Sequence, residues 1–318
     1  MQELAPEPLA LDAWLDIVAR EYLDGFVPAG GGALKIAVAD DAQVAPAIAR
    51  LAALAGRHRL RAVAIDAAHT KLHLPQDVFF ALARALPWAE MVQTYLEGVF
   101  AANAYPWPRP GVAMARAALA EALGIAPPLL NSAINAWLTR GIWNNRDYAQ
   151  DFRSALLALC LAALETDEAV AAPVLAWLQG EKVPAALLRA AGIGGRITRA
   201  GARAMLVSLC HWVRRSGAAG LVVTLDARRL HQPGAVADGE VRYSPAAVMD
   251  TYEVLRELID DAENLPGLFV VVLANPALIG GEPRRALDAY DALRMRVWPD
   301  VRPGTGQNPV APLVWLGA

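Results

Sequence analysis

Two kinds of hydrophobic pattern alternate along this chain: long stretches with apolar residues every three or four positions, and four short runs that are apolar almost throughout. The first spacing puts the apolar residues on one face of a helix. The second is the mark of strands covered on both sides of a sheet. Leu9–Leu23 reads as an amphipathic helix. Gly30-Gly31-Gly32 then breaks the chain, and Ala33–Ala39 forms the first predicted strand. Val44–Leu54 is an alanine-rich helix closed by Gly56, and Arg61–Asp66 is the second strand. Residues 33–66 thus make a β-α-β unit, whose strands run parallel. From about Gln76 to Leu178 the pattern is helical, in the segments Val78–Leu86, Glu90–Phe100, Val112–Leu123, Leu129–Thr139, Ala149–Glu165 and Ala169–Gln179. Proline clusters at 105–110 and 126–128 interrupt it. Arg199–Ser216 is a further helix leading into a third strand, Leu221–Asp226. Pro245–Leu258 is helical again, and Leu268–Ala274 is the fourth strand, ending at Asn275-Pro276.

This order predicts an α/β protein, a parallel sheet flanked by helices, with a large helical insertion between the second and third strands. The divisions fall at residues 1–75, 76–198 and 199–318, the first and last forming the α/β core. Within the insertion, Ala117–Gly141 has the rhythm of a helix-turn-helix or winged helix. In an open parallel sheet the ligand crevice lies beyond the carboxyl ends of the strands. Asp66, Asp226 and Asn275 occupy three of those ends, where the plainer role is to shape the turn.

Composition narrows the picture further. With 318 residues, 19% charged and 56% hydrophobic, the chain has ample material for a core and is not globally disordered. A net charge of −3 gives no overall case for nucleic acid or an anionic membrane. Cys160 and Cys210 lie in helical, apolar surroundings and read as buried thiols. MQELAPEPLALDAW carries acids and prolines where a signal peptide needs a basic start and an apolar run. The longest charge-free stretch, Ala122–Thr139, contains Pro127-Pro128, Asn131, Ser132 and Asn135, unsuited to lipid. A soluble, cytoplasmic protein is the expectation. Of the 29 Lys and Arg residues only Lys35, Lys71 and Lys182 are lysines, so any lysine-dependent chemistry has three places to go.

Several segments carry a likeness to a known group. They are Glu21-Tyr-Leu-Asp-Gly-Phe26 with the glycine run, Ala-Ile-Asp-Ala-Ala-His-Thr-Lys-Leu-His73, Tyr148-Ala-Gln-Asp-Phe-Arg153, and above all the helix-to-strand passage from Ala204 to Asp226. In order and spacing over about residues 20–300, the chain resembles a P-loop ATPase of the AAA type. More narrowly, it resembles the ATP-binding proteins of BREX-type bacterial phage-defence systems. The resemblance implies a phosphate-binding loop after the first strand, a magnesium-side acid at Asp226 and a γ-phosphate sensor at Asn275. A C-terminal arginine would match Arg294 or Arg296.

The residues themselves depart from that chemistry. With Leu34–Val38 as the first strand, the eight positions of G-x-x-x-x-G-K-[ST] fall on Ala39, Asp40, Asp41, Ala42, Gln43, Val44, Ala45 and Pro46. Both glycines, the lysine and the hydroxyl are missing. Asp40 and Asp41 would stand beside a triphosphate, and each like charge at 4 Å costs about 4 kcal/mol at an effective dielectric near 20. Ala227 follows Asp226 where such ATPases carry the glutamate that activates water, a loss of roughly 10²–10⁴-fold in hydrolysis. The expectation is a degenerate P-loop protein, a pseudo-ATPase with no catalytic residue and no required cofactor. Residual ATP or magnesium would sit at Ala39–Pro46 with Asp226 and Asn275. Such a protein would act through other phage-defence proteins or nucleic acid, off the membrane, alone or as an oligomer. Two alternatives stand beside it: an active ATPase drawing on Lys35 or Arg61, and a DNA-binding regulator working through the helical insert.

Smaller signals add little. His69-Thr-Lys-Leu-His73 has the i, i+4 spacing of two metal ligands on a helix, yet lies in a loop-like stretch before Pro75. Arg57/Arg59/Arg61, Arg214-Arg215, Arg228-Arg229 and Arg284-Arg285 read as solvated surface or as parts of one basic groove. Trp107, Trp143, Trp298 and Trp315 are candidates for interface anchors or core.

Overall fold

A computed structural model of the chain describes residues 7–232, 237–298 and 306–317. The chain divides into two compact units, Met1–Val78 with Ala218–Ala318, and Phe79–Gly217.

The first unit is built on six parallel strands: β1 (Leu9–Ala10), β2 (Ala33–Val38), β3 (Arg61–Asp66), β4 (Leu221–Asp226), β5 (Leu268–Ala274) and β6 (Leu313–Gly317). They lie in the order β1-β6-β2-β5-β4-β3, every pairing parallel. Helix α1 (Leu11–Val18) continues as one π-helical turn over Ala19–Leu23, and α2 (Asp41–Arg57) carries the chain from β2 to β3. Since β5 and β4 separate those two strands, this connection passes two neighbours, and the chain leaving β5 passes β2 on its way to β6. The two connections depart in opposite directions from adjacent strands. That is the arrangement that opens a crevice at the carboxyl ends of β2 and β5.

β4 and β5 are buried at every position, as their unbroken apolar sequence requires. β3 differs from the expectation of full cover. Val63 and Ile65 are buried while Ala62 and Ala64 are exposed, because β3 is an edge strand with small residues on its open face. The strands β1 and β6 were not foreseen: two and five residues are too short for a period to show, and β6 is recognised only by its pairing with β2 and β1. One core cluster gathers Trp14, Val18, Val44, Leu51, Val222 and Phe269. The glycine run before β2 is a packing device. Gly30 has φ +108°, and a Cβ on Gly32 would stand 2.2 Å from the Ala262 carbonyl oxygen.

The second unit is helical: most of α3 (Pro75–Ala85), then α4 (Trp88–Ala102), α5 (Arg116–Leu123), α6 (Pro127–Leu138), α7 (Gln150–Glu165), α8 (Glu168–Leu178), α9 (Ala185–Ala190) and α10 (Arg199–Arg215). Proline breaks set the boundaries much as the pattern predicts, and α10 groups with these helices. Phe152, Phe100 and Trp212 fill the core, the last ring 4.9 Å from Tyr95. Cys160 and Cys210 are free and buried, and desolvation raises both thiols, Cys210 to about 12. They are packing groups, not nucleophiles. Gly124, left-handed at φ +64°, ends α5. The helical run Pro127–Trp143 departs at 114° after a three-residue turn. Among the described residues no single helix is long and apolar enough to cross a membrane, and this bent pair passes that test only when taken together.

After β4 the first unit adds α11 (Pro245–Asp260), α12 (Ala277–Gly280) and α13 (Asp291–Val297). Ser244 caps α11 by accepting from the Ala247 N–H at 3.1 Å.

Candidate functional site

The carboxyl ends of β2, β5 and β4 bring Asp41, Asn275 and Asp226 into one crevice. β2 stops at Val38, and α2 begins three residues later at Asp41. Only Ala39 and Asp40 lie between them. Ala39 is buried and donates its N–H to the Ala274 carbonyl at 2.9 Å, continuing the ladder with β5. Asp40 is extended, with φ −64° and ψ 148°. Ala42, Val44, Ala45 and Pro46 are helical, and Val44 points into the core. Of the eight positions that a phosphate loop would use, two form the connection and six belong to the helix. A two-residue link leaves no arc of backbone N–H groups to wrap a triphosphate.

Asp226 ends β4 with only 7% of the residue exposed. Its partner is Arg228, two residues on. The Arg228 backbone N–H donates to Asp226 Oδ1 at 3.2 Å, Nε to the same oxygen at 2.9 Å, and Nη2 to Oδ2 at 2.6 Å. This is a bidentate guanidinium–carboxylate pair, the strongest form of the interaction. The remaining arm, Nη1, donates to the Asp41 main-chain carbonyl at 3.1 Å and lies 3.9 Å from that residue's carboxylate. Hydrogen bonding to Asp226 holds the Arg228 guanidinium above its ordinary value, so it stays charged. Asn275 Nδ2 is 3.4 Å from Asp41 Oδ1, and its own Oδ1 accepts from the Ala277 N–H, starting the short α12. Arg228 therefore spans from the end of β4 to the start of α2, filling the space between Asp226 and that helix. The D-x-R spacing was visible in the sequence, but only the turn after β4 folds the arginine back onto the aspartate.

The other predicted groups go elsewhere. Lys35 is buried mid-strand, donating to the Val310 and Ala311 carbonyls at 2.5 and 2.7 Å, with its nitrogen 4.9 Å from the Tyr22 ring centroid. Burial lowers its amine to about 8. Arg61 opens β3, at the opposite end of these parallel strands from the crevice. Asp66 shapes its own turn by accepting from the Ala68 N–H at 2.7 Å. Residues 67–74 are not helical, so the His69/His73 spacing does not align two ligands. Tyr243 instead bridges that turn, donating to the Thr70 carbonyl and accepting from the Leu72 N–H. Among the described residues no cluster of three His, Cys, Asp or Glu is poised for a metal ion.

Members of two of the predicted basic pairs in this unit have separate partners. Arg285 is buried on the Leu230 and Tyr243 carbonyls, and Arg229 pairs with Gln232 and Glu240. Arg294 pairs with Asp291, and Arg296 with Asp260. Trp107 is core, its indole N–H donated to the Val112 carbonyl, and Trp298 packs edge-on against Trp315.

A six-stranded parallel sheet flanked by helices, with an acid ending one strand and an amide ending the strand beside it, is compatible with a P-loop-like fold. The model of the family described as BREX system ATP-binding protein BrxC/D matches residues 128–318, more than half of the chain, and the chain belongs to that family. The matched stretch includes Asp226, Arg228 and Asn275. No curated protein matches the chain. No solved structure matches it either. Membership identifies a component of a bacterial phage-defence system.

Proposed function

We propose that this chain is a non-hydrolysing, AAA-like member of its phage-defence system, acting by binding partner components. The observation that carries the reading is the Arg228 guanidinium, locked on Asp226 and bonded to the start of α2. A permanent cation with a matched carboxylate holds the place a magnesium–phosphate group would need. Admitting the nucleotide would mean breaking that pair in a water-poor crevice. The two-residue link at Ala39–Asp40 and the alanine after Asp226 support the same reading, since the link is too short to cradle a phosphate and the alanine offers no water-activating base at that position. Members of a multi-protein defence system are the natural partners.

Isothermal titration with ATP and Mg²⁺, run beside a phosphate-release assay on the full chain, tests this. The expected result is no turnover above background and no saturable heat at millimolar nucleotide. Phosphate release that disappears in Asp226→Ala would overturn it.

A further inference from the structure

The charge of this chain is unevenly divided. The helical unit, Phe79–Gly217, has thirteen Lys/Arg against nine Asp/Glu, while the rest has sixteen against twenty-three. Eight of those thirteen fall in two short stretches, residues 139–153 and 196–215. The fold brings the two together. Arg146 and Arg203 line one open cleft of about 400 Å³, together with Tyr148 and Val207. Arg199 is exposed one turn before Arg203 on α10. Two acids fall in the same stretches, one of them, Asp147, on the cleft lining itself. Asp147 pairs with Arg215 at 3.3 Å and lies 3.8 Å from His211, and Asp151 accepts from the Gly194 N–H at 3.0 Å. Of the charged residues lining the cleft, Arg146 and Arg203 outnumber Asp147, so the lining carries net positive charge.

An aromatic surface stands next to it in the chain. Trp143, three residues before Arg146, is 46% exposed, unusual for the largest apolar side chain. Arg153 holds it, donating to the Trp143 carbonyl at 3.1 Å with the guanidinium 5.9 Å from the ring centroid. A fixed, half-exposed indole beside arginines is the combination that binds single strands: cations follow the phosphates and the ring stacks a base. The bent pair α5–α6 has helix-turn-helix geometry, but the exposed face of α6 offers Ser132 and Asn135 and no cation before Arg140. A duplex reader needs phosphate anchors there.

We propose that the cleft between residues 146–149 and α10, with Trp143, is a binding site for single-stranded nucleic acid. It is independent of the closed nucleotide crevice, so the ATP titration leaves it untouched. Fluorescence anisotropy of the full chain with a labelled twenty-residue oligothymidylate, against a duplex of equal length, is the test. Binding should favour the single strand. It should weaken about 20-fold between 50 and 200 mM salt, as three phosphate contacts require. Arg146→Ala with Arg203→Ala should lower affinity tenfold or more, and Trp143→Ala about fivefold or more. Arg146→Lys with Arg203→Lys should keep the salt dependence, and Arg57→Ala with Arg59→Ala should change nothing. Unchanged circular dichroism and melting temperature separate lost contacts from lost fold. No binding at 50 mM salt, tighter binding of the duplex, or full affinity in folded Trp143→Ala would each overturn the proposal.

Discussion

Lys35 and Arg228 are both cations held within the same α/β unit, yet the protein treats them in opposite ways. Lys35 is 2% exposed and among the described residues meets carbonyl dipoles and the Tyr22 ring, so burial pulls its amine down to about 8. Arg228 meets a full carboxylate in bidentate geometry, so its guanidinium is held above the ordinary value. The first charge is tolerated by the fold, while the second is part of it. Lysine gives up a proton when desolvated, whereas arginine does not and needs a partner wherever it is enclosed. Placing the arginine at the strand ends and the lysine inside the sheet leaves the crevice with a cation that cannot be titrated away.

Removing the partner of a buried charge should have the largest effect. Arg228→Ala leaves the Asp226 charge enclosed and unpaired, and should cost about 3–5 kcal/mol by chemical denaturation. Arg228→Ala with Asp226→Ala should cost clearly less than the two single changes added together. Additive costs would break the idea of a mutual lock.

Next comes the pH dependence of Lys35. In the folded protein the amine titrates near 8, against 10.5 ordinarily. Between those values the unfolded chain holds more protons, so native stability rises with pH across that window. Measured as a difference from Lys35→Met, which cancels the tyrosines, the rise should reach about 3 kcal/mol. A flat difference would mean the amine is better solvated than its burial indicates. At neutral pH the same variant should stay within about 1 kcal/mol of the native chain, because the relief of desolvation offsets two orphaned carbonyls.

The smallest effect belongs to an exposed ion pair of the same unit. Asp12 and Arg50 pair at the surface, and Asp12→Asn should change stability by less than about 0.5 kcal/mol. Together the three positions grade charge by enclosure, and a large effect at Asp12 would upset that grading.

Much of this was legible along the chain. The helical segments from Pro75 to Leu178 and the four apolar strands follow from spacing and proline breaks alone, since an apolar face and a missing N–H act over a few residues. The absence of a lysine after the first strand was equally local. β1 and β6 were hidden because two to five residues carry no period, and their stability comes from pairing with β2 and with each other. The exposed alternation of β3 was hidden too, since position at a sheet edge is a property of the assembled sheet.

The site divides along the same line. Sequence by itself determined that Ala39–Pro46 has neither the glycines, the lysine nor the hydroxyl of G-x-x-x-x-G-K-[ST] and that an alanine follows Asp226, for these are matters of which side chains exist. Only the tertiary structure decided that the link after β2 is two residues long, that Arg228 turns back onto Asp226 and reaches Asp41, and that Lys35 faces carbonyls 275 and 276 residues away in sequence. It likewise decided that arginines 146 and 203 share one cleft. Composition fixes which charges a chain carries. Which of them are enclosed, and with what partner, depends on distances that close only when the sheet and helices assemble.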